Sequence, residues 1–339
     1  MTATAAPPRL SRRRIRLADG AARLRLMAIT GIATVLITRA YLAATGYPKV
    51  GGGTIHIGHV LWGGLLMIAA LTVALIRVGN RARNWTALLG GVGIGLFVDE
   101  VGKYLTTTND YFYRPAAALI YLLFAALLVA ASLLGRDTAD PADPADRLAA
   151  AAQAASSGLV SGLTPDERER AVRLLDGCPE PDRDAVQHLL TLAPVRAPSR
   201  LVRLDARIRR LAGRAANLPG AEAVVFTINV LSHSIVAFLF TLQAATGVPH
   251  SANAGAVTVS AVTRGVSAVL VLAAAGLLLR SRRVAAYRLA RAAILIDLLV
   301  TEIFNFTDSQ FGALAELPWL LVSFAFLTIR LPDAEQSRN

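Results

Sequence analysis

A single cysteine, Cys178, and two lysines, Lys49 and Lys103, are all that the 339 residues contain of those types. One thiol excludes a disulfide framework and a cysteine metal site. Charged residues are scarce at 17% and hydrophobic ones make up 54%, with a mean hydropathy of +0.50, which excludes a soluble chain with a polar surface. No Gly-x-Ser-x-Gly turn, phosphate loop or dinucleotide glycine pattern stands between a strand and a helix, so those enzyme classes have no support.

Long apolar runs dominate what is present. A segment of roughly 20 apolar residues crosses the ~30 Å hydrocarbon core as a helix. Such segments fall at 24–46, 55–77, 85–108, 114–135, 223–246, 255–280, 285–306 and 311–330. The expected fold is therefore all-α, a polytopic integral membrane protein with eight transmembrane helices arranged as two tandem four-helix units. The expected divisions are a basic cytosolic arm (1–23), a first membrane unit (24–135), a helical cytosolic insert (136–222), a second membrane unit (223–330) and a cytosolic tail (331–339).

The net charge of +12 would suggest nucleic acid in a soluble chain, but here the arginines alternate with the apolar runs. They lie before the first run, at Arg77, Arg81 and Arg83, within 196–214, between Arg280 and Arg291, and at Arg330. The opposite ends carry little beyond Lys49 and Arg114. The positive-inside rule then puts both termini in the cytoplasm, as eight spans require, and nucleic acid is not an expected partner. Arginine in place of lysine, with abundant alanine, points to a bacterial inner membrane. The first run reads as an uncleaved signal-anchor.

The halves resemble each other. Ala43-Ala44-Thr45-Gly46-Tyr47-Pro48 is matched by Ala244-Ala245-Thr246-Gly247-Val248-Pro249 at an offset of 201. Asp99 is matched by Asp297, Asp110 by Asp308, and Leu119–Leu123 by Leu317–Leu321 at an offset of 198. An even number of helices per unit predicts copies inserted with the same orientation. In the insert, Thr164-Pro165-Asp166-Glu167 predicts an N-cap with a capping box, and Gly177 a stop. Leu201, Leu204, Ile208 and Leu211 share one face of a later arginine-rich helix, which suits anionic lipid headgroups at 200–214 or simply fixes the direction of the fifth span. A cytosolic partner could use the insert.

Ionisable side chains within membrane segments are kept where they are paired or used. Arg39, His56, His59, Asp99, Glu100 and Lys103 are expected at similar depth in the outer half of the first unit, with Asp110 in the loop above. Lys103 can reach Glu100 at i,i+3 or Asp99 at i,i+4. As an ammonium among guanidiniums it can also shed its proton, which makes it a candidate for proton coupling. The row Gly91, Gly95 and Gly102 should let this helix approach a neighbour closely. A second polar group comprises His233, Arg264, Asp297, Glu302, Asp308 and Glu316.

Three functions fit these residues. One is a structural or interaction protein with a polar network, and another is ion- or proton-coupled transport of a small solute. The third is a metal-dependent membrane hydrolase or transferase with His56, His59 and Glu100 as ligands. Zinc is the metal that set would suit, although Lys103 beside it opposes cation binding and the absence of any cofactor is preferred to zinc.

Overall fold

The computed structural model describes residues 19–45, 58–107, 113–139, 143–198, 200–246 and 254–336. His56, Lys49, Asn109, Asp110, Tyr111 and the two Gly-x-Pro turns lie outside the described residues. Among those described the chain is all-helical, with one isolated bridge between Leu163 and Val195.

The first half supplies α1 (Gly20–Thr45), α2 (His59–Ile76), α3 (Asn80–Asp99), the short α4 (Val101–Leu105) and α5 (Arg114–Ala139). Next come α6 (Pro144–Ser161), α7 (Pro165–Leu174), α8 (Glu180–Leu192) and α9 (Arg200–Ala216). The second half holds α10 (Ala221–Thr246), α11 (Ala254–Leu279) and α12 (Arg283–Ile296). A π-helical segment (Asp297–Thr301) then leads into α13 (Glu302–Ser309), a 3-10 turn (Gln310–Ala315) and α14 (Leu317–Gln336).

Four helices are long and apolar enough to cross a membrane: Gly20–Thr45, His59–Ile76, Pro115–Leu134 within α5 and Val257–Leu279 within α11. Two shorter apolar stretches are Ala221–Ile235 and Leu317–Leu331. The packing has the inside-out character of a membrane helix bundle. In α2 only Gly63 and Ala70 are buried, whereas Leu61, Trp62, Ile68, Leu71 and Leu75 point outward. Small residues let helices approach, and large apolar side chains left on the outside suit a lipid surround better than water.

Three expected segments differ in their interiors. The third starts earlier, at Asn80, and its α-helix stops at Asp99, with Glu100 at φ −89° and ψ 2° before α4 resumes. The seventh gives way to the π-helical turn at Asp297. The eighth opens as a 3-10 turn, so its α-helix begins at Leu317. In the third and seventh the interruption falls on a buried aspartate, where backbone hydrogen bonding and side-chain bonding compete.

Among the described residues two compact units form. One gathers residues within 1–37, 63–94 and 127–198, and the other those within 38–62, 95–126 and 199–339. In the first, Asp19 pairs with Arg23 at 3.3 Å and with Arg83 at 3.0 Å, tying the start of α1 to the start of α3. A Cβ at Gly91 would fall 2.4 Å from the Met27 carbonyl oxygen, so the close approach expected of that glycine is real. Its α6–α8 core is Ala151, Ala155, Leu163, Ala171, Leu175, Val186 and Leu190. The Thr164 capping box forms in both directions, and Gly177 takes a φ of +78° just past α7.

In the second unit α11 packs on α10 and α12, and α12 on α14. Tyr287, Ile294, Phe326 and Leu327 are central to its core. Asn229 of α10 donates to Ser323 of α14 at 3.0 Å, both buried. Tyr121 of α5 stacks on Phe306 at 4.8 Å and its hydroxyl donates to the Leu298 carbonyl inside the π-helical segment.

Candidate functional site

Two clusters of ionisable groups lie within the second unit. In the first, the break after α3 turns Asp99 and Glu100 in different directions, and three other elements meet them. Arg39 of α1 reaches Asp99 Oδ1 with Nε at 2.5 Å and the Asp99 carbonyl with Nη2 at 3.2 Å. His59 of α2 places Nε2 3.0 Å from Asp99 Oδ2 and Nδ1 4.0 Å from Glu100 Oε2. Lys103 of α4 donates to Glu100 Oε1, which selects the i,i+3 partner from the two that the spacing permits. Glu100 Oε2 also accepts the Val60 backbone N–H at 2.7 Å, so the carboxylate satisfies an open donor at the start of α2. Asp99 and Glu100 are 0% and 2% exposed.

Gly58 is part of this arrangement and carries no charge to reveal it. A Cβ there would lie 2.5 Å from Glu100 Oε2, so only glycine leaves the carboxylate room to reach Val60. Of the expected first-unit residues, Arg39, His59, Asp99, Glu100 and Lys103 come together. His56 and Asp110 lie outside the described residues.

The second cluster is built around the π-helical segment. His233 Nε2 of α10 is 2.8 Å from Asp297 Oδ2, and its Nδ1 is 2.7 Å from the Asn229 carbonyl oxygen. A carbonyl can only accept, so Nδ1 carries a hydrogen. A second proton must then lie between Nε2 and Asp297, as imidazolium with carboxylate or imidazole with carboxylic acid. Either way the pair is neutral. Thr301 is 3.2 Å from Asp297 Oδ1 and 2.9 Å from the Thr263 hydroxyl. Arg264 Nη2 pairs with Glu316 Oε2 at 2.7 Å.

Glu302 is different. It is fully buried; Oε1 accepts from Asn305 Nδ2 at 3.2 Å, and Oε2 has no hydrogen-bond partner among the described residues. Asn305 in turn accepts from the Ser260 hydroxyl at 2.8 Å. Asp308 is half-buried near the end of α13. The expected second-unit group thus resolves into two ion pairs, the separate Asp308, and one carboxyl that accepts its hydrogen bond from a neutral amide. Ser260, Thr263 and Thr301, which join them, gave no sequence signal.

An open, mostly apolar cleft of about 350 Å³ borders this region, lined by Leu105, Tyr113, Leu119, Leu122, Ile303 and Thr307 among others. Among the described residues no group of three or more histidine, cysteine, aspartate or glutamate side chains is arranged to hold a metal ion. Of the expected zinc ligands His56, His59 and Glu100, His59 sits at hydrogen-bond distance from Asp99 and Glu100 is engaged by Lys103 and Val60. Compared with protein-family models, curated proteins and solved structures, the chain matches none.

Proposed function

We propose that the chain is an eight-helix protein of a bacterial inner membrane, built from two tandem four-helix units, that moves a small solute coupled to an ion or proton. The observation that carries this reading is the burial of Asp99, Glu100, Asp297 and Glu302 at the points where their helices lose regular α-helical bonding. Membrane transporters use interrupted helices to put charge and free backbone groups at a binding site, and buried intramembrane acids mark ion and proton paths. A merely scaffolding bundle has no need of acids at such breaks.

Two matched pairs support the tandem relation. At the start of the first and third helices, Asp19 meets Arg83 at 3.0 Å in one half and Glu222 meets Arg283 at 3.7 Å in the other. Further along, the aspartate of the third helix receives a basic residue from the first, Arg39 on Asp99 and His233 on Asp297. For α9 the reading is a helix lying on anionic lipid headgroups. Arg203, Arg207, Arg210 and Arg214 recur on one face and line a cleft with Leu211, and Ile208 is exposed.

The test is uptake by proteoliposomes containing the purified chain, with an internal pH dye and an imposed proton or sodium gradient, across panels of organic cations, organic anions and amphipathic solutes. Gradient-driven accumulation of a solute with matching ion flux supports transport. No flux under any gradient, together with one equivalent of bound zinc that is lost in His59→Ala, would replace it with the metal-dependent hydrolase reading.

A further inference from the structure

We propose that Glu302 is held as the neutral acid in the resting protein and is the group that binds and releases the coupling proton, while Asp99 and Glu100 remain permanently ionised. This rests in part on the transport reading, since it names that reading's ion and the residue that carries it.

Charge balance makes the distinction. Around Asp99 and Glu100 stand Arg39 and Lys103, one basic side chain for each carboxylate, with His59 in addition. Among the described residues, every charged group facing Glu302 is already matched. Arg264 of α11 is paired with Glu316, which follows the 3-10 turn, and Asp297 of the π-helical segment is paired with His233 of α10. Tyr121 of α5 and Asn305 of α13 bring no formal charge. An ionised Glu302 would therefore add one uncompensated negative charge in a site closed to solvent. Burial of an isolated carboxylate is so unfavourable that the group takes up a proton instead.

The unpartnered Oε2 is the second observation. A carboxylate oxygen with no donor has lost its hydration without replacement, whereas a neutral carboxyl leaves only a weakly polar atom there. Such an acid can exchange. If water enters through the neighbouring helices, the O–H bond breaks, the proton passes to water as hydronium and the carboxylate is left ionised. The π-helical segment immediately before Glu302 is where the backbone can rearrange, since its bonds already depart from the α-helical pattern. Asp99 does not fit this role, because its carboxylate is paired with Arg39 and taking up a proton would give up that ion pair.

Infrared spectroscopy of the full chain in lipid nanodiscs, recorded near neutral pH in water and in deuterium oxide, tests this without any solute. The expected result is a protonated-carboxyl C=O band that shifts on deuteration, is absent in Glu302→Gln, and survives at a displaced frequency in Glu302→Asp. The absence of such a band in the wild type, or a band unchanged in Glu302→Gln in a variant that elutes as a monodisperse species, would overturn the assignment. The band with no solute flux would defeat the transport reading and leave the protonation state standing. Proton-driven uptake retained in Glu302→Gln would do the opposite, keeping transport and removing Glu302 as its carrier.

Discussion

Asp99 and Asp297 stand at matching places, each at the end of an α-helical run that breaks just beyond it, yet their surroundings differ in kind. Asp99 is gripped by a guanidinium that cannot lose its charge; Asp297 is held by an imidazole that can. The acid that follows each shows the same contrast. Glu100 has Lys103 and a backbone N–H, whereas Glu302 has one side-chain amide and an unpartnered oxygen. On the proposal above, one cluster fixes charge in place and the other changes it. The tandem repeat proposed above would allow this division, because one four-helix repeat would keep the rigid version and the other the responsive one.

The largest effect should come from removing the acid under the permanent cation. Asp99→Asn leaves Arg39 charged and nearly buried, which should lower stability by about 3–5 kcal/mol. Asp297→Asn should lower it by only about 1–2 kcal/mol, because His233 can become neutral and accept from the new amide at Nε2. Thermal unfolding of the two variants in the same detergent checks the order. Equal losses would mean that the clusters are not different in kind.

Gly58→Ala should come next. The added Cβ would lie 2.5 Å from Glu100 Oε2 and must push the carboxylate off the Val60 N–H, lowering stability by roughly 1–3 kcal/mol. The same change at Gly64, inside α2 with nothing within 4 Å, should not lower stability and should raise it by roughly 0.5–1 kcal/mol, so a loss at Gly58 is traced to the contact with Glu100. Thermal unfolding of both variants reads the difference.

The first cluster was largely legible because its members are charged residues inside apolar runs, and Glu100 and Lys103 lie one helical turn apart. The capping box at Thr164 was legible for a related reason, since its two partners are three residues apart and need no tertiary information. What escaped were features whose cause is tertiary. Gly58 matters only because a side chain from another helix fills its missing Cβ. Ser260, Thr263 and Thr301 were silent because a hydroxyl in a membrane helix can always bond back to its own backbone, as Thr263 does to the Val259 carbonyl, so its presence implies no partner. The π-helical turn at Asp297–Thr301 escaped because an apolar period cannot register one extra residue within a single turn. The 3-10 turn at Gln310–Ala315 is similarly short, so an apolar run starting at 311 does not mark where the α-helix begins.

Glu302→Gln should change stability by less than about 1 kcal/mol if the native group is already neutral, because the amide keeps the acceptor for Asn305 and replaces one polar atom with another. A gain well above that size in thermal unfolding would show that an ionised carboxylate had been relieved. A large loss would reveal a cationic partner for it. Either result would erase the difference between the clusters.

The smallest effect is expected at Lys103. Its rarity in an arginine-rich chain suggests a need for an ammonium that can shed its proton, but its geometry is that of a fixed partner. Its Nζ bonds to Glu100 Oε1, whose other oxygen is held by Val60, and its side chain is partly exposed. A partly exposed basic side chain set against a nearly buried carboxylate serves as a counter-charge, which a guanidinium can also supply. Lys103→Arg should therefore keep ion flux within about twofold of wild type and stability within roughly 0.5 kcal/mol, the range of a partly exposed pair. Lys103→Met, which removes the charge and strands Glu100, should be clearly worse in the same unfolding and flux assays. If arginine abolished flux while preserving the fold, the first cluster would be moving protons as well, and the division between a fixed and a responsive cluster would fail.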